Sequence, residues 1–188
     1  MSFSTKKCYY VYITSTRGEK MISCGDIVVY GTNGVCRFNG EVHKQTAFGT
    51  ADYFELESLR DCTNKMYLPK KDELLGKLRH VMTHDEAVRL VDESVREQVI
   101  VVEDDAERKE RFSSMLHSNN SAMTIRVVRS LMNMQKAKAK VGGKLHSADE
   151  RMLRLAKKMI DDELAYALGI DTENVSAYVS KKFQAKAE

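Results

Sequence analysis

The part of this 188-residue chain best equipped for chemistry is a block of cationic side chains, and the chemistry is neutralisation of phosphate. Between Ala106 and Lys158 there are thirteen Lys and Arg against four Asp and Glu, a net charge of +9. Just upstream, His84 to Asp105 holds two bases and eight acids, a net charge of −6. The overall charge of +3 therefore hides a sharp division. Arg108, Lys109 and Arg111 share one helical stretch. Arg126 and Arg129 are three apart, so they neighbour each other on the next helix. Lys136, Lys138, Lys140 and Lys144 follow, then Arg151, Arg154, Lys157 and Lys158. Each phosphate contact made by such a cation adds salt-dependent affinity without reading sequence. An ordinary solvated helix face explains most charge runs, and composition alone does not separate DNA from RNA or an acidic protein.

Other chemistries find little support. There is no glycine-rich phosphate loop, no nucleophile elbow and no His-Glu-x-x-His. Asp161-Asp162-Glu163 reads as a solvated face, because consecutive helical residues point in different directions. Cys8, Cys24, Cys36 and Cys62 form no Cys-x-x-Cys pair, and the five histidines are scattered. We therefore expect reduced thiols, no metal, no cofactor and no enzyme activity. The methionines at helical spacing read as core filling. No apolar run approaches the roughly 20 residues that a membrane crossing needs, and the N-terminus lacks a signal-peptide core. The expectation is a cytoplasmic monomer with no membrane partner.

The elements that must hold these residues divide into two kinds. Residues 1–20 form an N-terminal extension: an added strand, a disordered tail or the product of an upstream start codon. Residues 21–80 read as β. Gly25-Asp26 marks a turn, Ile27–Tyr30 is a strand, and Asn33-Gly34 is a hairpin signal. Val35–Val42 follows, with Gly40 as a bulge. Ala47–Thr50 is a turn, Tyr53–Leu59 alternates with Phe54 and Leu56 on one face, and Lys65–Leu68 is a strand ended by Pro69. The fold class is α+β, a Tudor- or SH3-like small β-barrel followed by an all-α domain.

Residues 81–170 read as helical. Thr83 with Glu86 forms a capping box, and Ser147 with Glu150 a second. Val99–Val102 is a packed connector, and Glu103-Asp104-Asp105 puts negative charge at the next helix N-terminus. That helix reaches His117, with Phe112, Met115 and Leu116 apolar. Another spans Ser121 to Lys140 and ends at Gly142-Gly143, and a long one ends at Gly169. Residues 171–188 are a last short helix and tail.

Taken together, the two halves resemble the CarD/CdnL-like bacterial transcription regulators. The motifs are Gly25-Asp26-Ile27-Val28-Val29-Tyr30, Asn33-Gly34-Val35, Tyr53-Phe54-Glu55-Leu56 and Met66-Tyr67-Leu68-Pro69. In the helical half they are Val127-Val128-Arg129-Ser130-Leu131, Glu150-Arg151-Met152-Leu153 and Glu163-Leu164-Ala165. The family usually has Tyr-Pro and His-Gly where this chain has Tyr30-Gly31 and Asn33-Gly34. The resemblance implies a barrel, shared with transcription-repair coupling factors, that docks on the RNA polymerase β subunit. It implies basic helices that meet the backbone of promoter DNA and help open the promoter or hold it open, so the protein would travel with the nucleoid. Lys44 and Tyr67 fall at the family's polymerase-contacting positions. Arg108 and Arg129 match basic positions, and Lys109, Arg126 and Arg151 complete the expected DNA-binding set. Many members also carry a Trp wedge against unwound DNA. This chain has no Trp, and Asp105 falls at that position. Such a wedge needs a bulky side chain, so this chain is expected to hold DNA through phosphates alone. The competing readings are an RNA-facing barrel, which would stack bases on Tyr30, Tyr53, Phe54 and Tyr67, and a scaffold gripping a peptide.

Overall fold

The computed structural model describes residues 10–15, 18–46, 49–61, 63–75 and 77–184. They fall into two compact units that divide between Val81 and Met82.

The first unit is built on β-strands. β1 (Tyr10–Ser15) and β2 (Gly18–Ser23) pair as an antiparallel hairpin. β3 (Ile27–Tyr30), β4 (Val35–Thr46), β5 (Gly49–Ser58), β6 (Lys65–Pro69) and β7 (Leu78–His80) form an antiparallel sheet in the order β6-β5-β4-β3-β7. A single turn of helix, α1 (Asp72–Leu75), precedes β7. The alternation along β5 does what period two requires: Phe54, Leu56 and Ser58 are buried. Their face meets Val28, Phe38 and Leu68, with the Phe38 and Phe54 ring centroids 5.4 Å apart. Gly40 is the bulge: the β4–β5 register shifts between Phe38 and Gly40, where φ is +95°.

Here one open expectation is decided and two change. Within the stretch read as an extension, residues 10–15 and 18–20 belong to the β1–β2 hairpin, the added-strand alternative, and its Ile22 is fully buried in the sheet core; residues 1–9, 16 and 17 lie outside the described residues. Asn33-Gly34 is not a two-residue hairpin. Gly31–Asn33 makes a 3-10 turn, with Gly31 at φ +47° and Gly34 at φ +83°, while Asn33 does not take a positive φ. The turn expected at Ala47–Thr50 is partly undescribed, at residues 47 and 48, and Gly49 and Thr50 already lie in β5.

The second unit is helical: α2 (His84–Arg96), α3 (Asp105–His117), α4 (Ser121–Lys140), α5 (Ser147–Leu168) and α6 (Thr172–Gln184). The Thr83 capping box forms in both directions: Thr83 Oγ1 accepts from Glu86 N, and Glu86 accepts from Thr83 N at 2.9 Å. Asp104 caps α3 by accepting from Glu107 N, and Asn120 caps α4. Gly169 closes α5 in the left-handed region at φ +66°. Phe112, Leu116, Val127, Leu131, Ala156, Ile160, Leu164 and Val175 make the core. Burial of each large side chain among them contributes about 1.5–3 kcal/mol. The connector before α3 is only half packed, with Val102 buried and Val101 exposed.

Two charged positions differ from expectation. Ser147 does not cap α5; it is the first helical residue, and His146 occupies the cap without a side-chain hydrogen bond. Glu163 is not on a solvated face. It is buried, and accepts from Met82 N at 3.3 Å and Ser121 Oγ at 2.8 Å.

Candidate functional site

Residues directly opposite each other in an antiparallel sheet share a face. Lys44 pairs with Ala51, Val42 with Tyr53 and Glu55 with Tyr67, so Lys44, Tyr53, Glu55 and Tyr67 occupy the face away from Phe54 and Leu56. There the structure joins the two residues that the sequence nominated. Lys44 Nζ sits 3.0 Å from the centroid of the Tyr67 ring, reaching from β4 across β5 to β6. The cation is held against the negative face of the ring.

Beside this pair lies a hydrogen-bonded acidic strip. Asn39 Nδ2 donates to Glu55 Oε1 and Glu57 Oε2, both at 3.0 Å, and Lys65 Nζ donates to Glu55 Oε1 at 3.0 Å. Partial burial pushes the Glu55 carboxyl up, but the hydrogen bonds from Asn39 and Lys65 outweigh it and hold Glu55 below the usual range. The result is a pre-arranged polar face with one stacked cation and an exposed Tyr67. It does not present a row of bare aromatics. Phe54 is in the core, Tyr30 and Tyr53 are half-buried, and Lys44 covers one face of Tyr67.

The helical candidates separate into three environments. Arg126 and Arg129, on successive turns of α4, converge on Glu97. Arg126 Nε lies 3.0 Å from Glu97 Oε2 as an ion pair without hydrogen-bond alignment, and Arg129 Nη1 donates to the Glu97 carbonyl at 2.8 Å. The Arg129 guanidinium also lies 5.2 Å from the Phe183 ring centroid, and burial draws its pKa below the usual value. Lys109 is exposed on α3 beside an open cavity of about 290 Å³, shared with Asp105, His146, Ala148 and Met152. Arg151 is exposed on the first turns of α5.

Arg108 is the correction. It matches a basic position of the expected DNA-binding set, but its side chain is buried and all its donors are spent. Nε donates to Asp149 Oδ1 at 3.2 Å and Nη2 to Asp149 Oδ2 at 2.9 Å, a bidentate pair. Nη1 donates to the carbonyls of Val102 at 3.0 Å and Glu103 at 3.3 Å, and Nη2 also donates to Asp105. Five N–H groups thus meet five acceptors. The hydrogen bonds to Asp149 hold the guanidinium charged against the opposing effect of burial. Arg108 ties α3 to α5 and offers nothing to a phosphate.

Asp105, at the wedge position, accepts from Arg108 and lies 3.0 Å from His146 Nδ1. The hydrogen bond from Arg108 is the main cause that holds its carboxyl below the usual range. Sequence spacing shows neither the Lys44–Tyr67 contact nor the Arg108–Asp149 pair. The first spans two strand pairings, and the second links residues 41 positions apart.

Two family models match the chain. The CarD-like/TRCF RID domain matches residues 22–82, and the C-terminal domain of CarD matches residues 95–180. Together they span most of its length, and each falls almost wholly within one compact unit. No curated protein matches the chain.

Proposed function

The chain belongs to the CarD-like family of transcription factors, and on that ground we propose that it docks on the β subunit of RNA polymerase through the β-unit and holds promoter DNA through the helical unit, so changing how the open complex forms or persists. One observation carries the reading: two family halves, in family order, coincide with two separate folded units. The family is one of non-enzymatic transcription factors, in keeping with the lack of any recognisable catalytic constellation in the sequence.

Docking is assigned to the outward face of the sheet, centred on Lys44 and Tyr67. DNA contact is assigned to Lys109, Arg126, Arg129 and Arg151, acting on phosphates. On binding, Arg126 exchanges the Glu97 carboxylate and Arg129 the Glu97 carbonyl for phosphate, which makes the Arg126 contact a competition between two anions.

The test has two arms. Immobilised chain is offered bacterial RNA polymerase, and capture is expected; failure of the unmodified chain to retain polymerase sinks the docking half. Duplex promoter DNA is titrated at several salt concentrations against the unmodified chain and an Arg126→Ala/Arg129→Ala variant. Loss of two phosphate contacts is expected to weaken binding and to flatten the slope of log affinity against log salt by about 1.8. An unchanged slope removes these two residues from the DNA interface.

The missing Trp gives a separate expectation. Asp105→Trp exchanges a carboxylate that repels phosphate for a flat apolar side chain that can lodge beside unstacked bases. Open complexes formed with this variant are expected to last longer than with the parent chain. An equal or shorter lifetime means that no wedge is lacking at this position.

A further inference from the structure

We propose that Glu41, His43 and Asp52, near the far end of the β4–β5 pairing, form a binding site for a first-row divalent cation of the zinc type. Glu41 and His43 are two apart on β4, so they share a face, and Asp52 is the cross-strand partner of His43 on that same face. One ligand atom from each of the three lies within 4.8 Å of the others. His43 Nδ1 is 2.5 Å from Asp52 Oδ1, close enough for one cation to take both after a small opening.

The imidazole distinguishes this group from an ordinary acidic patch. Two carboxylates and one neutral imidazole are a borderline-hard donor set suited to Zn²⁺ or Co²⁺, and three protein ligands leave a coordination position for water. The carboxylate nearest the core is already placed. The Glu41 side chain is only 5% exposed, and Lys70 Nζ holds its Oε2 at 2.9 Å. Lys70 is in turn fixed by its backbone, whose N–H donates to the Asp52 carbonyl at 3.3 Å. Its ammonium, beside the Phe54 ring at 5.8 Å, is a resident cation that a divalent ion displaces into water.

Titration of Co²⁺ into the full chain tests the site, read by absorbance, because the four cysteines are the main rival ligands. The expected result is one ion per chain with weak visible bands and no thiolate charge-transfer band. His43→Ala and Asp52→Asn, both at exposed positions, are expected to lower affinity at least about tenfold without changing the melting temperature. Lys70→Ala removes the competing ammonium and is expected to raise affinity. Absence of saturable binding, a thiolate band at one equivalent, or unchanged affinity in His43→Ala overturns the proposal.

Discussion

Replacing Asp149 by alanine is expected to destabilise the helical unit by about 3–5 kcal/mol. Arg108 and Asp149 each have side chains about 95% removed from solvent. Truncating Asp149 orphans Arg108 Nε and one Nη2 donor and strips a buried guanidinium of its bidentate counter-charge. The Val102 and Glu103 carbonyls remain, but they are neutral dipoles and do not balance a full charge. Asp105 remains too, yet its side chain is 58% exposed and its attraction is screened. Urea unfolding followed by circular dichroism measures the loss. Arg108→Ala should be comparably costly, because it strands the Asp149 carboxylate instead. Arg108→Met with Asp149→Leu should cost far less than either single change, since an apolar pair leaves no buried charge. A single-mutant loss below about 1 kcal/mol would mean that the guanidinium escapes to water. It would also restore Arg108 as a candidate phosphate ligand, so a folding measurement decides a functional question.

That pair shows where sequence reading succeeds and where it stops. Patterns set by nearest neighbours were legible. Thr83 with Glu86 announced a cap that formed, and the apolar period through Val127, Val128 and Leu131 placed α4 correctly from Ser121 to Lys140. Period two in β5 placed Phe54 and Leu56 inward. Patterns that depend on distant partners were not legible. Ser147 and Glu150 have the spacing of a capping box, but the helix already begins at Ser147, His146 takes the cap position, and the box does not form. Glu163 sits in a run of three acids that reads as solvated, yet it serves the Met82 amide and Ser121 hydroxyl from 81 and 42 positions away. Nothing local marks a buried carboxylate or a buried arginine, because charge type is the same inside and out. The short β7 escaped, and β1–β2 stood as no more than one of three alternatives, for a related reason. Three or six residues carry little periodicity, and pairing with a neighbour, not propensity, is what makes them strands.

On the sheet, the largest functional change is expected from Lys44→Glu. In the native chain the Lys44 ammonium is stacked on Tyr67, with Glu55 next in register to Tyr67 and Glu57 beyond it. Reversal removes the cation–π attraction, about 0.5–2 kcal/mol, and sets a carboxylate against the electron-rich ring beside two further acids. The side chain then swings away, Tyr67 loses its cover, and the acids Glu55 and Glu57 face the partner with Lys65 and Arg37 as the cations beside them. A partner surface that recognises a fixed cation loses its central contact. Truncation of a hot spot costs at least about 2 kcal/mol, or about 30-fold in affinity, and reversal adds repulsion to that. The stability of the β-unit should change by no more than about 1–2 kcal/mol, since Lys44 lies outside the core. Lys44→Arg keeps charge and stacking and is expected to retain polymerase, whereas Tyr67→Ala leaves the cation unanchored and gives an intermediate loss. Affinities for polymerase measured across these three variants separate fixed-cation recognition from bulk charge. If Lys44→Glu holds polymerase as tightly as the parent chain, docking does not use this face. Graded loss in the order arginine, alanine at 67, glutamate at 44 is the signature of a cation whose position, held by an aromatic ring two strands away, is what the partner reads.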